Sequence, residues 1–181
     1  TPPSAPAFKP VRRWPLKLIM VDAYIGLGSN LDDPQAHIIR ALEELKQLPG
    51  SCLVGRSSLY VTSPVGPQSQ PDYINAACRL GTELGAHDLL EQLQAIEHCH
   101  GRLREGEQWG PRTLDLDLLL YGSEIIDMPD LKVPHSELHR RCFVLQPLHE
   151  IAGDVVVPGH GSVSDLLAAA DCNGVRKLDH D

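Results

Sequence analysis

The chain has 181 residues, 42% hydrophobic and 22% charged, with 24 acidic against 16 basic side chains. That is the size of one domain with a core of its own, and the acidic balance excludes a nucleic-acid footprint spread over the surface, so any basic site is local. No apolar run reaches the roughly 20 residues that span a bilayer, and no signal-peptide core precedes a small-residue cleavage site.

Residues 1–20 hold prolines at 2, 3, 6, 10 and 15, together with Lys9, Arg12, Arg13 and Lys17 and no acid. The prolines forbid a continuous helix, so residues 1–21 are expected as a disordered tail or linker, with Met20 a candidate natural start. Residues 22–27 predict a first strand. Gly26-Leu27-Gly28-Ser29-Asn30 predicts a turn into a helix over 34–48, capped by Asp32 or Asp33, with Ile38, Ala41, Leu42 and Leu45 on one apolar stripe. The Gly-x-Gly lacks the third glycine of a dinucleotide fingerprint.

Residues 52–61 predict a second strand, followed by a long loop stiffened by Pro64, Pro67 and Pro71, of the kind that is functional or disordered. In a third strand over 73–84, Tyr73 and Asn75 share a face. They offer either a stacking ring and an amide to a flat ligand, or a buried tyrosine and a turn asparagine. A second helix is expected over 86–99, with Leu89, Leu93 and Ile96 inward and Gln94 and Glu97 on another face.

Five cysteines, Cys52, Cys78, Cys99, Cys142 and Cys172, are scattered, odd in number and without Cys-x-x-Cys spacing. They are expected as reduced thiols of a cytoplasmic protein. Adjacent residues on a helix point in different directions, which argues against a metal role for His98-Cys99-His100.

Residues 113–121 alternate and then run apolar, as a buried strand does, yet carry Asp115 and Asp117. Both carboxylates leave one face, about 7 Å apart along the chain. Bare, they would be costly and repulsive; a divalent cation removes both problems, and aspartate rather than Cys or His suits a hard ion, Mg²⁺ first. Just upstream, Arg102, Arg104 and Arg112 lie with Trp109 and three glycines in a segment without helical or strand period. Guanidinium groups grip phosphate bidentately, so basic loop and acidic strand together suggest phosphoryl transfer. The same charges also fit a structural salt-bridge cluster. Gly101, Gly106 and Gly110 give residues 101–112 the backbone freedom of a lid.

The order so far, βαββαβ, is that of an α+β fold with a ferredoxin-like antiparallel sheet and helices on one face. Residues 22–181 are expected as a single domain with a C-terminal extension: a hairpin within 124–133, a mixed apolar stretch over 143–151, a short strand at 155–157 and a last helix at 163–170.

Gly28-Ser29-Asn30, Gly66-Pro67-Gln68 with Gln70-Pro71-Asp72-Tyr73, the long run from Trp109-Gly110-Pro111-Arg112 to Thr113-Leu114-Asp115-Leu116-Asp117, and Val133-Pro134-His135 resemble the 6-hydroxymethyl-7,8-dihydropterin pyrophosphokinases. The likeness runs in register from about residue 22 to 167. It implies a monomeric, cytoplasmic enzyme of folate biosynthesis that moves diphosphate from ATP to the pterin hydroxymethyl group and releases AMP, with small-molecule partners and no nucleic acid or membrane. It implies two Mg²⁺ ions held by Asp115 and Asp117, and catalytic roles for Arg102 and Arg112 beside those acids. It also implies a pterin pocket of Thr62, Val65, Tyr73, Asn75, Trp109 and Phe143, and an ATP site of Gln94, Glu97, Arg104, Arg112, Leu118, His135 and Arg141.

Ser63, Glu105 and Asp130 depart from residues common in that family. Two other readings compete: a two-metal nucleotidyl transferase or cyclase, which would release pyrophosphate, and an RNA-recognition module. The latter needs exposed aromatics and a basic face, which two Phe and four Tyr in an acidic chain supply poorly.

Overall fold

The structure is a computed structural model that describes residues 19–63, 69–101 and 113–178. Val65, Arg102, Arg104, Glu105, Trp109, Arg112, and most of the expected tail and lid, lie outside the described residues.

The first strand, β1 (Val21–Ser29), is longer than expected and runs straight through the glycines read as a turn. It alternates Ala23, Ile25 and Leu27 into the main core with Tyr24 on the opposite face. Asp33 then caps α1 (Pro34–Lys46), its Oδ1 accepting the Ala36 N–H at 3.3 Å with Pro34 in the first turn. The stripe Ile38, Ala41, Leu42 and Leu45 is buried as its spacing predicts.

The single strand expected over 52–61 is two, β2 (Ser51–Arg56) and β3 (Tyr60–Thr62). The ladder breaks because the register shifts between Leu53 and Gly55, and because Ser57 takes over both backbone groups of Ala77. Its N–H donates to the Ala77 carbonyl at 2.8 Å, and its hydroxyl accepts the Ala77 N–H at 2.9 Å. β4 (Tyr73–Thr82) stops two residues short of expectation, where the Thr82 hydroxyl accepts the Leu84 N–H at 3.1 Å. α2 (Ala86–Cys99) and β5 (Asp115–Tyr121) follow.

Among the described residues all pairings are antiparallel. β3, β4, β1 and β5 lie side by side in that order, β2 also pairs with β4, and β10 (Val175–Lys177) adds to the outer side of β3. α1 and α2 cover one face over the larger core.

Helices on one face only is corrected. The apolar stretch 143–151 is a helix, α3 (Cys142–Ala152), with Pro147 inside it. Its Leu145 and Leu148 pack with Tyr24, Leu119 and Leu120 on the other side of the sheet. β6 (Ile126–Asp127) with β7 (Lys132–Val133), β8 (Val156–Val157) with β9 (Gly161–Ser162), and α4 (Val163–Ala169) complete the chain before β10.

The cysteine expectation is also corrected in part. Cys142 and Cys172 form a disulfide, while Cys52, Cys78 and Cys99 are free. A separation of 30 residues carries no local signal; the two meet because β10 returns the C-terminal segment alongside β3.

Among the described residues no helix is long and apolar enough to cross a membrane.

Candidate active site

On β5, Leu116 and Leu118 point into the main core, so period-2 alternation turns Asp115 and Asp117 to the opposite face, where α3 lies. A cleft of about 870 Å³ opens there. Its floor is β1, and two glycines keep it low: Gly26 pairs with Asp117, and Gly28 pairs with Asp115 on one side and Asn75 on the other. A Cβ on Gly28 would stand 3.2 Å from Asn75 Oδ1, tighter than nine in ten real contacts, and one on Gly26 would meet the Leu119 methyls at 3.4 Å. Asp115, Gly28 and Asn75 therefore form one row across the sheet, acid and amide separated by a residue without a side chain.

Asn75 is held. Its Nδ2 donates to Thr62 Oγ1 at 2.8 Å, and both residues are buried. That leaves Oδ1 and one N–H for a ligand. Tyr73 pairs with Thr62 in the next row and also lines the cleft, with Ser63 beside it. The opposite wall starts at the N-terminus of α3, where the Arg141 guanidinium lies 5.8 Å over the Phe143 ring.

His135 enters from beyond β7. Its N–H donates to the Leu119 carbonyl at 3.0 Å, and its Nε2 comes within 3.9 Å of Asp117 Oδ1. The Nδ1 accepts the Glu137 N–H at 3.2 Å, so in the neutral ring the proton is on Nε2, on the acid's side. Glu137 is gripped by both Arg140 nitrogens, Nε at 2.6 Å and Nη2 at 2.5 Å, and Arg141 lies 3.7 Å away. Those guanidinium groups, Arg140 first, hold its carboxyl below the usual carboxylate range.

Of the residues singled out from sequence, the cleft brings together Thr62, Tyr73, Asn75, Asp115, Asp117, His135, Arg141 and Phe143. It does not gather Gln94, Glu97 or Leu118. Leu118 is in the main core, and Glu97 is buried with its Oε1 accepting the Leu116 N–H at 2.7 Å. Asp130 is bonded to His87 Nε2 at 2.7 Å, which lowers its pKa. His100 lies buried, 2.7 Å from His37 and 2.8 Å from Glu44.

Sequence reasoning missed the floor glycines, although Gly26-x-Gly28 and Asp115-x-Asp117 share one spacing. It also missed Glu137, Arg140 and the cleft-lining residues at 171–175, which no local pattern announces.

The donor chemistry fits a hard cation shared with a ligand. Among the described residues no group of three or more His, Cys, Asp or Glu could hold a metal alone. Two carboxylates are what Mg²⁺ takes from a protein when phosphate oxygens and water complete its shell.

The model of the family described as 7,8-dihydro-6-hydroxymethylpterin-pyrophosphokinase (HPPK) matches residues 24–153. The chain is 49% identical over 148 residues to the 2-amino-4-hydroxy-6-hydroxymethyldihydropteridine pyrophosphokinase of Haemophilus influenzae, covering 82% of this chain and 92% of that protein. It is 46% identical over 155 residues to the same-named protein of Pseudomonas aeruginosa, covering 86% and 95%. A solved structure of wild-type Plasmodium falciparum HPPK-DHPS with pterin and p-hydroxybenzoate superposes with a TM-score of 0.62 at 12% identity, covering 82% of this chain and 43% of that one, and so bears on the fold alone. The mixed α/β architecture with an antiparallel sheet is the one those neighbours share, and the chain belongs to the 7,8-dihydro-6-hydroxymethylpterin-pyrophosphokinase family.

Proposed function

We propose that the cleft over β1 is where this chain moves diphosphate from ATP to 6-hydroxymethyl-7,8-dihydropterin, the folate-biosynthesis reaction of its family, releasing AMP. The observation that carries the site is the row Asp115, Gly28, Asn75. It sets a carboxylate and a ring-reading amide two strand spacings apart, about 10 Å, over a floor without side chains. A flat bicyclic ring fits that gap with its polar edge at Asn75 and its one-carbon arm toward the acids.

In this reading Tyr73 and Phe143 bracket the ring, and Asn75 Oδ1 and its remaining N–H pair with the polar edge while Thr62 fixes the amide plane. The hydroxymethyl oxygen then attacks the β-phosphorus as AMP leaves. His135, 3.9 Å from Asp117, and Arg141, which lines the same cleft, take the nucleotide. Arg102, Arg104 and Arg112 hold the polyphosphate and take up developing charge, with Val65 and Trp109 closing the pterin pocket; these roles come from the resemblance. Gln94, Glu97 and Leu118 are assigned to ATP on the same ground. Asp115 and Asp117 would hold two Mg²⁺ ions, which when bound neutralise triphosphate charge and orient the transferred group.

We read β2 and β3 as one interrupted strand, which makes the sheet a ferredoxin-like βαββαβ unit with a C-terminal extension. Residues 22–181 act as one domain, and the resemblance supports a cytoplasmic monomer.

The test mixes the protein with Mg-ATP, with and without the reduced pterin alcohol, and resolves the nucleotides. AMP that forms only with pterin is the expected result. Pyrophosphate release would favour a nucleotidyl transferase instead.

A further inference from the structure

One wall of the cleft is supplied by the far end of the chain. Asp171 and Asn173 line it from that segment, and Arg141 and Phe143 from the start of α3. The disulfide joins the two at those points: Cys142 lies between Arg141 and Phe143, Cys172 between Asp171 and Asn173, with the Cα atoms 5.2 Å apart. Beyond it the segment is anchored as strand β10, with Val175 opposite Thr62 and the Leu178 N–H donating to the Leu59 carbonyl at 2.8 Å. Within that segment the Asn173 N–H donates to Asp171 Oδ1 at 3.0 Å and the Val175 N–H to the Cys172 carbonyl at 3.2 Å. At the N-terminal end of α3 the bridge adds a covalent tie.

We propose that Cys142–Cys172 is a redox-sensitive clasp that positions the C-terminal wall against the pterin ring, so that reduction weakens pterin binding and spares ATP. This rests on the reading of the cleft as the pterin site. The clasp can be opened by a small dithiol. Cys142 is 3% exposed and Cys172 half-buried, so a dithiol thiolate attacks the Cys172 sulfur and Cys142 departs as a thiolate from the first turn of α3, where the helix N-terminus favours negative charge. The second thiolate of the reagent then attacks its own mixed-disulfide sulfur, closing a cyclic disulfide and releasing Cys172. Two electrons pass to the protein, and the two thiolates take up protons according to pH. With the tie gone, residues 171–173 swing about β10 while α3, packed through Leu145 and Leu148, keeps Arg141 in place, and the ring must order the C-terminal wall when it binds.

The test uses the full chain. Under denaturing conditions, alkylation should find three thiols without reductant and five with it, the difference being Cys142 and Cys172. Pterin and a non-hydrolysable Mg-ATP analogue are then titrated into oxidised and dithiol-reduced protein, into Cys172→Ser, and into Asn75→Ala. Reduction should raise the pterin Kd about threefold to tenfold, the cost of ordering one or two freed side chains, and leave the nucleotide Kd within about twofold. Cys172→Ser should show the weaker value with or without dithiol, and reoxidation of the wild type by a small disulfide should restore the tighter one.

Five free thiols in the unreduced protein overturn the clasp. So does an equal pterin Kd in both redox forms while Asn75→Ala binds pterin weakly, and in that case the cleft reading survives. Pterin binding untouched by Asn75→Ala removes the cleft reading, and the clasp with it. A parallel loss of both ligands on reduction means the bridge supports the fold and not the pterin wall.

Discussion

The Glu97 carboxylate accepts the backbone N–H of Leu116 at 2.7 Å, and Leu116 is the residue between Asp115 and Asp117. Among the described residues β5 is the last strand of its sheet, so on its outer side an N–H meets no ladder partner there, and α2 supplies a carboxylate instead. Glu97 is 4% exposed, and a buried acceptor there aligns the stretch of backbone that carries both acids. Replacing it by alanine leaves a buried N–H unpaired, which should cost roughly 1 to 3 kcal/mol in urea unfolding and lower the transfer rate more than pterin affinity. Glu97→Gln keeps an acceptor and should recover most of both. An alanine variant of unchanged stability with only a raised KM for ATP would make Glu97 a nucleotide contact and no support of β5.

Asp115→Asn and Asp117→Asn keep shape and lose charge. Each lies half-buried at the cleft surface and outside the packed core, so the thermal transition should hold. Diphosphate transfer at ordinary Mg²⁺ should fall by at least about 100-fold, because a hard ion loses one of the two protein carboxylates proposed to hold it. Pterin binding without nucleotide should change little. Near-normal turnover in either variant would remove the metal assignment.

The floor of the cleft makes a separate prediction. Gly28→Ala puts a methyl 3.2 Å from Asn75 Oδ1, in the gap the ring is proposed to enter. Asn75 must then shift by a few tenths of an ångström and strain its bond to Thr62, so the pterin Kd should rise while the nucleotide Kd stays put. Asn75→Ala removes the amide itself and leaves the ligand's polar edge unpaired, for which roughly 1 to 3 kcal/mol of pterin affinity is the expected loss. If Gly28→Ala weakens pterin and nucleotide equally, the row is a packing feature and not a ring site.

How far these sites are legible in the sequence depends on whether the determinant is periodic. α1, α2 and the acids of β5 follow from spacing, because burial on one side imposes it: Ile38, Ala41, Leu42 and Leu45 could be placed before any fold was known. Ser57 was opaque because a hydroxyl and an N–H substituting for ladder groups look like any other serine in a β-rich stretch. α3 was hidden by Pro147, which opposes helix locally and is overridden by the packing of Leu145 and Leu148. The partnership of Cys142 with Cys172, and the C-terminal wall it ties, depend on where β10 lands, a tertiary fact with no periodic trace.

Behind the cleft, Glu150 joins α3 to β3. Its Oε1 accepts the Ser58 N–H at 3.1 Å and the Ser58 hydroxyl at 2.8 Å, its Oε2 accepts the Tyr60 hydroxyl at 2.7 Å, and Lys177 of β10 stands 3.6 Å away. Burial alone would push the Glu150 pKa up, but the donors Tyr60 and Ser58, with Lys177 behind them, outweigh it and hold the value below the ordinary one. Tyr60, raised first by burial and then by its bond to Glu150, remains a neutral donor throughout. The sign follows. A carboxylate whose folded pKa lies below its unfolded value of about 4.3 contributes stability that is complete above that value and is lost as pH falls through the folded one. Urea unfolding of the wild type and Glu150→Gln should therefore differ by about 1 to 2 kcal/mol near pH 7, and the gap should narrow steadily below about pH 4.5. Because Tyr60 pairs with Asn75 and Thr62 lies two residues on, the same variant should also loosen the pterin wall modestly at neutral pH. A stability gap that stays constant from pH 7 down to about pH 3 would show that the ionised form of Glu150 does not hold α3 to β3.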